Sequence, residues 1–152
     1  MVRTRERVRG FTLVEIMIVV TIIGLLAAIA IPAFLSYQTR SQATSLANNY
    51  RIYAAAFEMY ATEHGHWPED VNEGLIPPEM KGRLPRFRDL SVVGGKWDWE
   101  KEILGVTAGI SLVGSDGTEA VFQKVDEILD DGNLTTGLFF GNNDRYTYAL
   151  QP

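Results

Sequence analysis

Two groups of side chains in this 152-residue chain have the type and spacing to do chemistry. The first is Glu15, the single charge in a stretch from Phe11 to Leu35 whose other polar side chains are Thr12 and Thr21. A carboxylate inside a membrane-length apolar segment costs about 2.5–3.5 kcal/mol on insertion scales, so it calls for a cationic partner or a position near the headgroups. A cut just before Phe11 would create an α-amine four residues from it. The second group is Asp126, Asp130, Asp131 and Asn133, in Asp-Glu-Ile-Leu-Asp-Asp-Gly-Asn. These are hard oxygen donors of the kind that suits Ca²⁺. They fall where a helix is expected to end, and acids there oppose the helix dipole. Their spacing is not that of an EF-hand loop, and Asp-Gly and Asn are also ordinary turn residues, so a cation site and plain turn chemistry both stand. His64 and His66 flank Gly65 without a clustered third ligand, which favours a loop over a metal site.

Composition removes several classes. The chain has no cysteine, so it holds no disulfide, thiolate-ligated metal or thiol nucleophile. Its net charge of −5 and pI near 5.0 argue against sequence-independent nucleic-acid binding. No Ser-His-Asp arrangement, phosphate loop or paired carboxylates in an evident cleft can be placed, and no catalytic residue or organic cofactor is expected.

The elements that must position Glu15 are read from hydropathy. Phe11 to Ile31 is close to the ~20 residues that an α-helix needs to cross a bilayer core. Gly24 and Pro32 weaken a soluble helix but are tolerated in a membrane one. The first ten residues carry Arg3, Arg5, Arg7 and Arg9 against one acid, Glu6, which places the N-terminus in the cytoplasm and the acidic body outside. The apolar stretch exceeds the ~7–15 residues of a secretory signal and no small-residue cleavage site follows it, so a retained anchor is expected. Beyond it, Ala43, Leu46, Tyr50, Tyr53, Phe57 and Tyr60 recur at a 3-4-3-4-3 spacing, the stripe of an amphipathic helix lying on a core. Gly65 and Pro68 stop that helix. One helix from Phe11 to Glu63 would be about 80 Å long at 1.5 Å per residue.

The remainder suits one small domain. Residues 69–89, rich in proline and charge, read as loop with one short helix. Gly94-Gly95 reads as a turn into a strand at Lys96–Glu100, and Val106–Val113 is β-rich. Phe139-Phe140 and Arg145–Leu150 bracket a hairpin turn, and Thr118–Leu129 has helical spacing. The resulting fold class is α+β: a long N-terminal helix, membrane-spanning in its first half, packed against a small antiparallel sheet.

The run Arg7-Val8-Arg9-Gly10-Phe11-Thr12-Leu13-Val14-Glu15, continuing without a charge to Pro32, resembles the class III signal sequence of type IV pilins and type II secretion pseudopilins. The resemblance implies a basic leader, residues 1–10, cut between Gly10 and Phe11 by a prepilin peptidase that also N-methylates Phe11. It implies a transmembrane and polymerisation helix over 11–35, an amphipathic continuation over 36–64 and a globular head over 65–152. Glu15 would pair with the N-terminal amine of a neighbouring subunit, and Pro32 stands at the family's position in the assembly helix. Calcium at the C-terminal acidic cluster is likewise implied by resemblance to the major secretion pseudopilins.

The expected partners are copies of the chain, other pilin-like subunits, the peptidase, an inner-membrane platform protein and lipid. The expected location is the inner membrane, single-pass with a periplasmic head, and then an extracytoplasmic filament. The small body, the lack of a cysteine pair and the His-Gly-His-Trp-Pro turn incline the sequence toward a secretion pseudopilus. A surface pilin for adhesion, motility or DNA uptake, or a membrane-tethered binding module that never polymerises, are the alternatives.

Overall fold

A computed structural model describes residues 10–142 and 144–152, so the arginine head and Asn143 of the expected hairpin turn lie outside the described residues. The chain divides into two compact units between Tyr37 and Gln38. Helix α1, Leu13–His64, begins in the first and ends in the second.

In the first unit no described residue is buried. Its side chains are almost all apolar, so the backbone satisfies its own hydrogen bonds while the apolar surface is left bare on every side: Phe11 is 83% exposed and Leu25 69%. The hydroxyls of Thr21 and Ser36 are turned back onto the carbonyls of Met17 and Ala33, so neither presents an unpaired donor outward. Pro32 sits inside the helix without ending it.

The second unit is built on the aromatic stripe. All six stripe residues are buried, together with Ala47 and Ala54. They face a four-stranded antiparallel sheet of β1 (Gly94–Ile103), β2 (Val106–Ser115), β3 (Phe139–Asn142) and β4 (Arg145–Gln151), in the order β1-β2-β4-β3. Helix α2, Glu119–Leu129, connects β2 to β3 and buries Val121, Phe122 and Val125. Tyr50 meets Trp97 and Phe139 edge-on, with ring centroids 4.9 and 5.3 Å away, and its hydroxyl donates to the Tyr146 carbonyl at 2.8 Å. Phe57 stacks on Trp99 at 3.8 Å, and the Trp99 indole donates to the Pro68 carbonyl.

Two features differ from the sequence expectation. Gly94 and Gly95 are the first residues of β1 rather than a turn before it, and a Cβ on Gly95 would lie 2.8 Å from the Val113 carbonyl oxygen. The loop before β1 holds its one short helix, a 3-10 turn at Pro78–Met80, but it also sinks Met80, Leu84 and Phe87 into the core. That contribution has no periodicity to reveal it.

Strand alternation sends Trp97 and Trp99 inward and Asp98 and Glu100 to the outer face. Both carboxylates are nevertheless buried, because the segment Asp70–Glu73 lines the same face. Arg145 reaches across from β4 and donates through Nη1 to Asp98 Oδ2 at 3.0 Å and to Glu100 Oε1. Burial raises the Asp98 carboxyl above its usual range, outweighing Arg145, and its Oδ1 has no partner.

Trp97→Ala should lower stability by about 3–5 kcal/mol, measured by chemical denaturation of the full chain in detergent. Arg145→Met strands two buried carboxylates and should cost about 3–5 kcal/mol at neutral pH. That loss should shrink on acidification, because protonation removes the uncompensated charge; a loss independent of pH would contradict the assignment.

Candidate functional site

Three places hold the residues that the sequence offers as candidates for function. The first is the start of α1. Thr12 and Glu15 close a reciprocal capping box: the Thr12 amide and hydroxyl donate to Glu15 Oε2 at 3.1 and 3.0 Å, and the Glu15 amide donates to Thr12 Oγ1 at 3.2 Å. The carboxylate therefore sits at the positive end of the helix dipole, where an anion is favoured, and has a local partner. Sequence reasoning passed over this role, although Thr-Leu-Val-Glu carries the capping-box spacing. Gly10 and Phe11 lie exposed just before the helix. A Cβ on Gly10 would meet nothing within 4 Å, so nothing in the chain's own packing demands glycine there.

The second is the loop after α2. Asp126, Asp130 and Asp131 each offer a carboxylate oxygen, all within 4.8 Å of one another. Asp126 is wholly buried and neither oxygen closes a well-formed hydrogen bond. Burial raises its carboxyl above the usual range; the nearby Gly132 amide opposes this, while the charges of Asp131 and Asp130 add to it. The loop holds the other two in place: Asp130 Oδ2 accepts from the amides of Leu138 and Phe139, and Asp131 accepts from the Asn133 amide and the Thr136 hydroxyl. Gly137, with φ +81°, passes so close that a Cβ there would lie 1.9 Å from Asp130 Oδ2. Asn133 stands in the same loop, but its side-chain oxygen accepts from the Thr135 amide and hydroxyl at 3.2 and 2.8 Å. Hard oxygen donors, high negative charge and an orphaned buried carboxylate together fit a divalent cation.

The third is the turn after α1. His64 stacks on Tyr60 with ring centroids 4.1 Å apart and its Nδ1 lies 3.0 Å from the Tyr60 carbonyl oxygen, while His66 Nδ1 lies 3.0 Å from the Trp67 carbonyl oxygen. Both rings are occupied with the turn.

Comparison with known proteins bears on the first place. A family model described as a prokaryotic N-terminal methylation motif matches residues 5–31. The type IV major fimbrial protein FimA of Dichelobacter nodosus is 34% identical over 130 residues, covering 83% of this chain and 77% of that protein. The type IV major pilin protein PilA of Myxococcus xanthus is 42% identical over 81 residues, covering 53% of this chain; the match spans only 37% of that relative's length. In fold, the chain resembles the major type IV pilin PilA1 from Clostridium difficile with a TM-score of 0.57 at 17% identity, covering 77% of this chain and 99% of that one. Long helix, small antiparallel sheet and methylation motif agree: the chain belongs to the type IV pilin family, whose members are structural subunits and not enzymes.

Proposed function

We propose that this chain is a filament subunit that is stored in the inner membrane, processed at Gly10–Phe11 and polymerised through the first half of α1. One observation carries the reading: a membrane-length apolar helix, bare on every side, that begins with the Thr12–Glu15 box immediately after the Gly10-Phe11 pair. Such a surface needs lipid or copies of itself around it. Prepilin peptidase, an inner-membrane platform protein, other pilin-like subunits and lipid are the partners this route requires. After cleavage the Phe11 amine and the Glu15 carboxylate would each be expensive to bury alone and far less so together, so pairing across subunits would set the axial register. Pro32 removes one backbone donor from the packed helix, and we assign it to assembly on the family resemblance.

The curated relatives reported above are type IV pilins, which favours a pilus of that kind as the filament. The secretion pseudopilus is the second reading, and the specific observation favouring it is the orphaned Asp126 with Asp130 and Asp131, proposed here as a calcium site. A deletion strain separates the two: loss of twitching or surface piliation supports the pilus, whereas loss of protein secretion supports the pseudopilus.

Mass spectrometry of the mature protein should find N-methyl-phenylalanine at Phe11; an intact Met1, or a cut after Pro32, contradicts the processing step. Glu15→Gln keeps a side chain able to close the capping box but removes the charge. It should reduce filament yield as severely as Glu15→Ala if the carboxylate pairs with an amine, whereas filaments at normal levels would reduce Glu15 to a helix cap.

The calcium proposal is tested by linkage. A carboxyl whose folded pKa is raised binds its proton more tightly folded than unfolded, so its contribution favours the fold at acid pH and is lost as pH rises from the usual carboxylate value through the raised one. Asp126 should therefore make the calcium-free head less stable at neutral than at mildly acid pH, and Asp126→Asn should flatten that dependence. Calcium at about 100 times its Kd should add about 2.7 kcal/mol at neutral pH, seen as a rise in Tm that Asp126→Asn abolishes. An unchanged Tm on adding calcium removes the site.

A further inference from the structure

We propose that Asn133 is an N-glycosylation acceptor, whose side-chain amide receives an oligosaccharide from a lipid-linked donor once the head lies outside the cytoplasmic membrane. The proposal rests on the filament reading, which puts the head there, and adds a covalent modification to it.

The sequence is the first observation. Asn133-Leu134-Thr135 has the Asn-x-Thr spacing, with a residue other than proline in the middle, that N-linked glycosylation needs. Asn48, Asn49, Asn72, Asn142 and Asn143 have neither serine nor threonine two positions on. The stretch also exceeds the minimal one: Asp131 stands two positions before Asn133, the acidic flank that bacterial transferases of this class favour.

The geometry is the second observation. Asn133 and Thr135 are both exposed, in the loop that joins α2 to β3. Both flanks of the motif bond to the asparagine. The Asn133 backbone amide donates to Asp131 Oδ1 at 2.8 Å. The Thr135 hydroxyl donates to Asn133 Oδ1, also at 2.8 Å, and the Thr135 amide joins it at 3.2 Å. Among the described residues Asn133 Nδ2 has no hydrogen-bond partner, so the nitrogen is available while the oxygen is held. Asn133 also stands apart from the three grouped carboxylates of Asp126, Asp130 and Asp131, so the acceptor does not compete with a cation there.

A turn alone does not need this pair. Aspartate or serine at 133 would accept the same backbone bond, and the Thr135 amide makes that bond without a hydroxyl. Asparagine adds an amide nitrogen, and threonine adds a second donor on Oδ1. An amide nitrogen is a poor nucleophile because its lone pair is delocalised onto the oxygen. Loss of one Nδ2 proton gathers negative charge on Oδ1, where two donors already point. Nδ2 then attacks the anomeric carbon of a polyprenyl-diphosphate-linked oligosaccharide. The C–N bond forms as the anomeric C–O bond to the diphosphate breaks. The polyprenyl diphosphate leaves with that electron pair, the Nδ2 proton passes to a base of the transferase, and nothing is oxidised or reduced. The product is a bulky hydrophilic group on an exposed loop, which keeps this face of the head at the filament surface.

Mass spectrometry with electron-transfer fragmentation tests this on the chain from cells that make it natively. The peptide carrying Asn133 should be heavier by an oligosaccharide, with the added mass on Asn133 itself. Asn133→Asp keeps the side-chain oxygen and the turn, and Thr135→Val keeps the backbone bond; both should lose the added mass completely, whereas Thr135→Ser should retain it. The variants are read from the membrane fraction, so a failure to assemble does not hide the result. An unmodified Asn133 peptide from chains that begin with N-methyl-phenylalanine overturns the proposal and leaves the filament reading intact. An unmodified peptide from chains that keep Met1 overturns both. Added mass that survives Asn133→Asp or Thr135→Val overturns the assignment to this motif.

Discussion

The constraint on which everything else depends is the bare apolar surface at the start of α1. A soluble helix hides one stripe and wets the rest. From Phe11 to Leu35 this helix has no side left to wet: the two threonines and one glutamate all bond locally or at the helix start. No described residue of the first unit covers it, so its cover must come from outside the unit. The head obeys the opposite rule. There the same helix becomes one-sided, its aromatic stripe is fully buried against the sheet, and the opposite face carries Ser45, Asn48, Arg51 and Glu58 into solvent. One secondary-structure element therefore serves two solvents, and the change in side-chain pattern near Tyr37 marks where one gives way to the other.

Carboxylates are the second recurring theme, and in each case their environment decides their use. Glu15 is placed where the peptide dipoles stabilise a negative charge, so the monomer tolerates it without a cation. Asp98 and Glu100 are tolerated because one guanidinium reaches both across the sheet. Asp126 has neither device. It is buried, unpartnered and crowded by two further acids, which makes it, among the described residues, the carboxylate whose charge most needs an external counter-ion.

Much of this was legible in the sequence because it is periodic. The 3-4-3-4-3 recurrence from Ala43 to Tyr60 named the buried face residue by residue, alternation marked the Lys96–Glu100 part of β1, and β-rich composition and turn residues marked β2 and the terminal hairpin. What escaped was aperiodic or non-local. Met80, Leu84 and Phe87 enter the core from irregular backbone, whose period carries no signal. Arg145 joins Asp98 and Glu100 over more than forty residues of sequence, visible only once the strand order β1-β2-β4 is known. Asp126 could be grouped with Asp130 and Asp131 by proximity in the chain, but its complete burial depends on how α2 packs. The Thr12–Glu15 box, by contrast, is local, and its spacing stands in the sequence as Thr12-Leu13-Val14-Glu15.

The central claim is that the first half of α1 is covered by lipid before assembly and by other copies after it. Because the chain lacks cysteine, a single thiol reports on this without background. Ile22→Cys should resist a water-soluble maleimide both in isolated membranes and in sheared filaments, while Ser41→Cys, on an exposed position of the same helix, should react in both. Rapid labelling of the Ile22→Cys thiol in intact filaments would mean that the apolar half is not the packed interior, and would contradict the account.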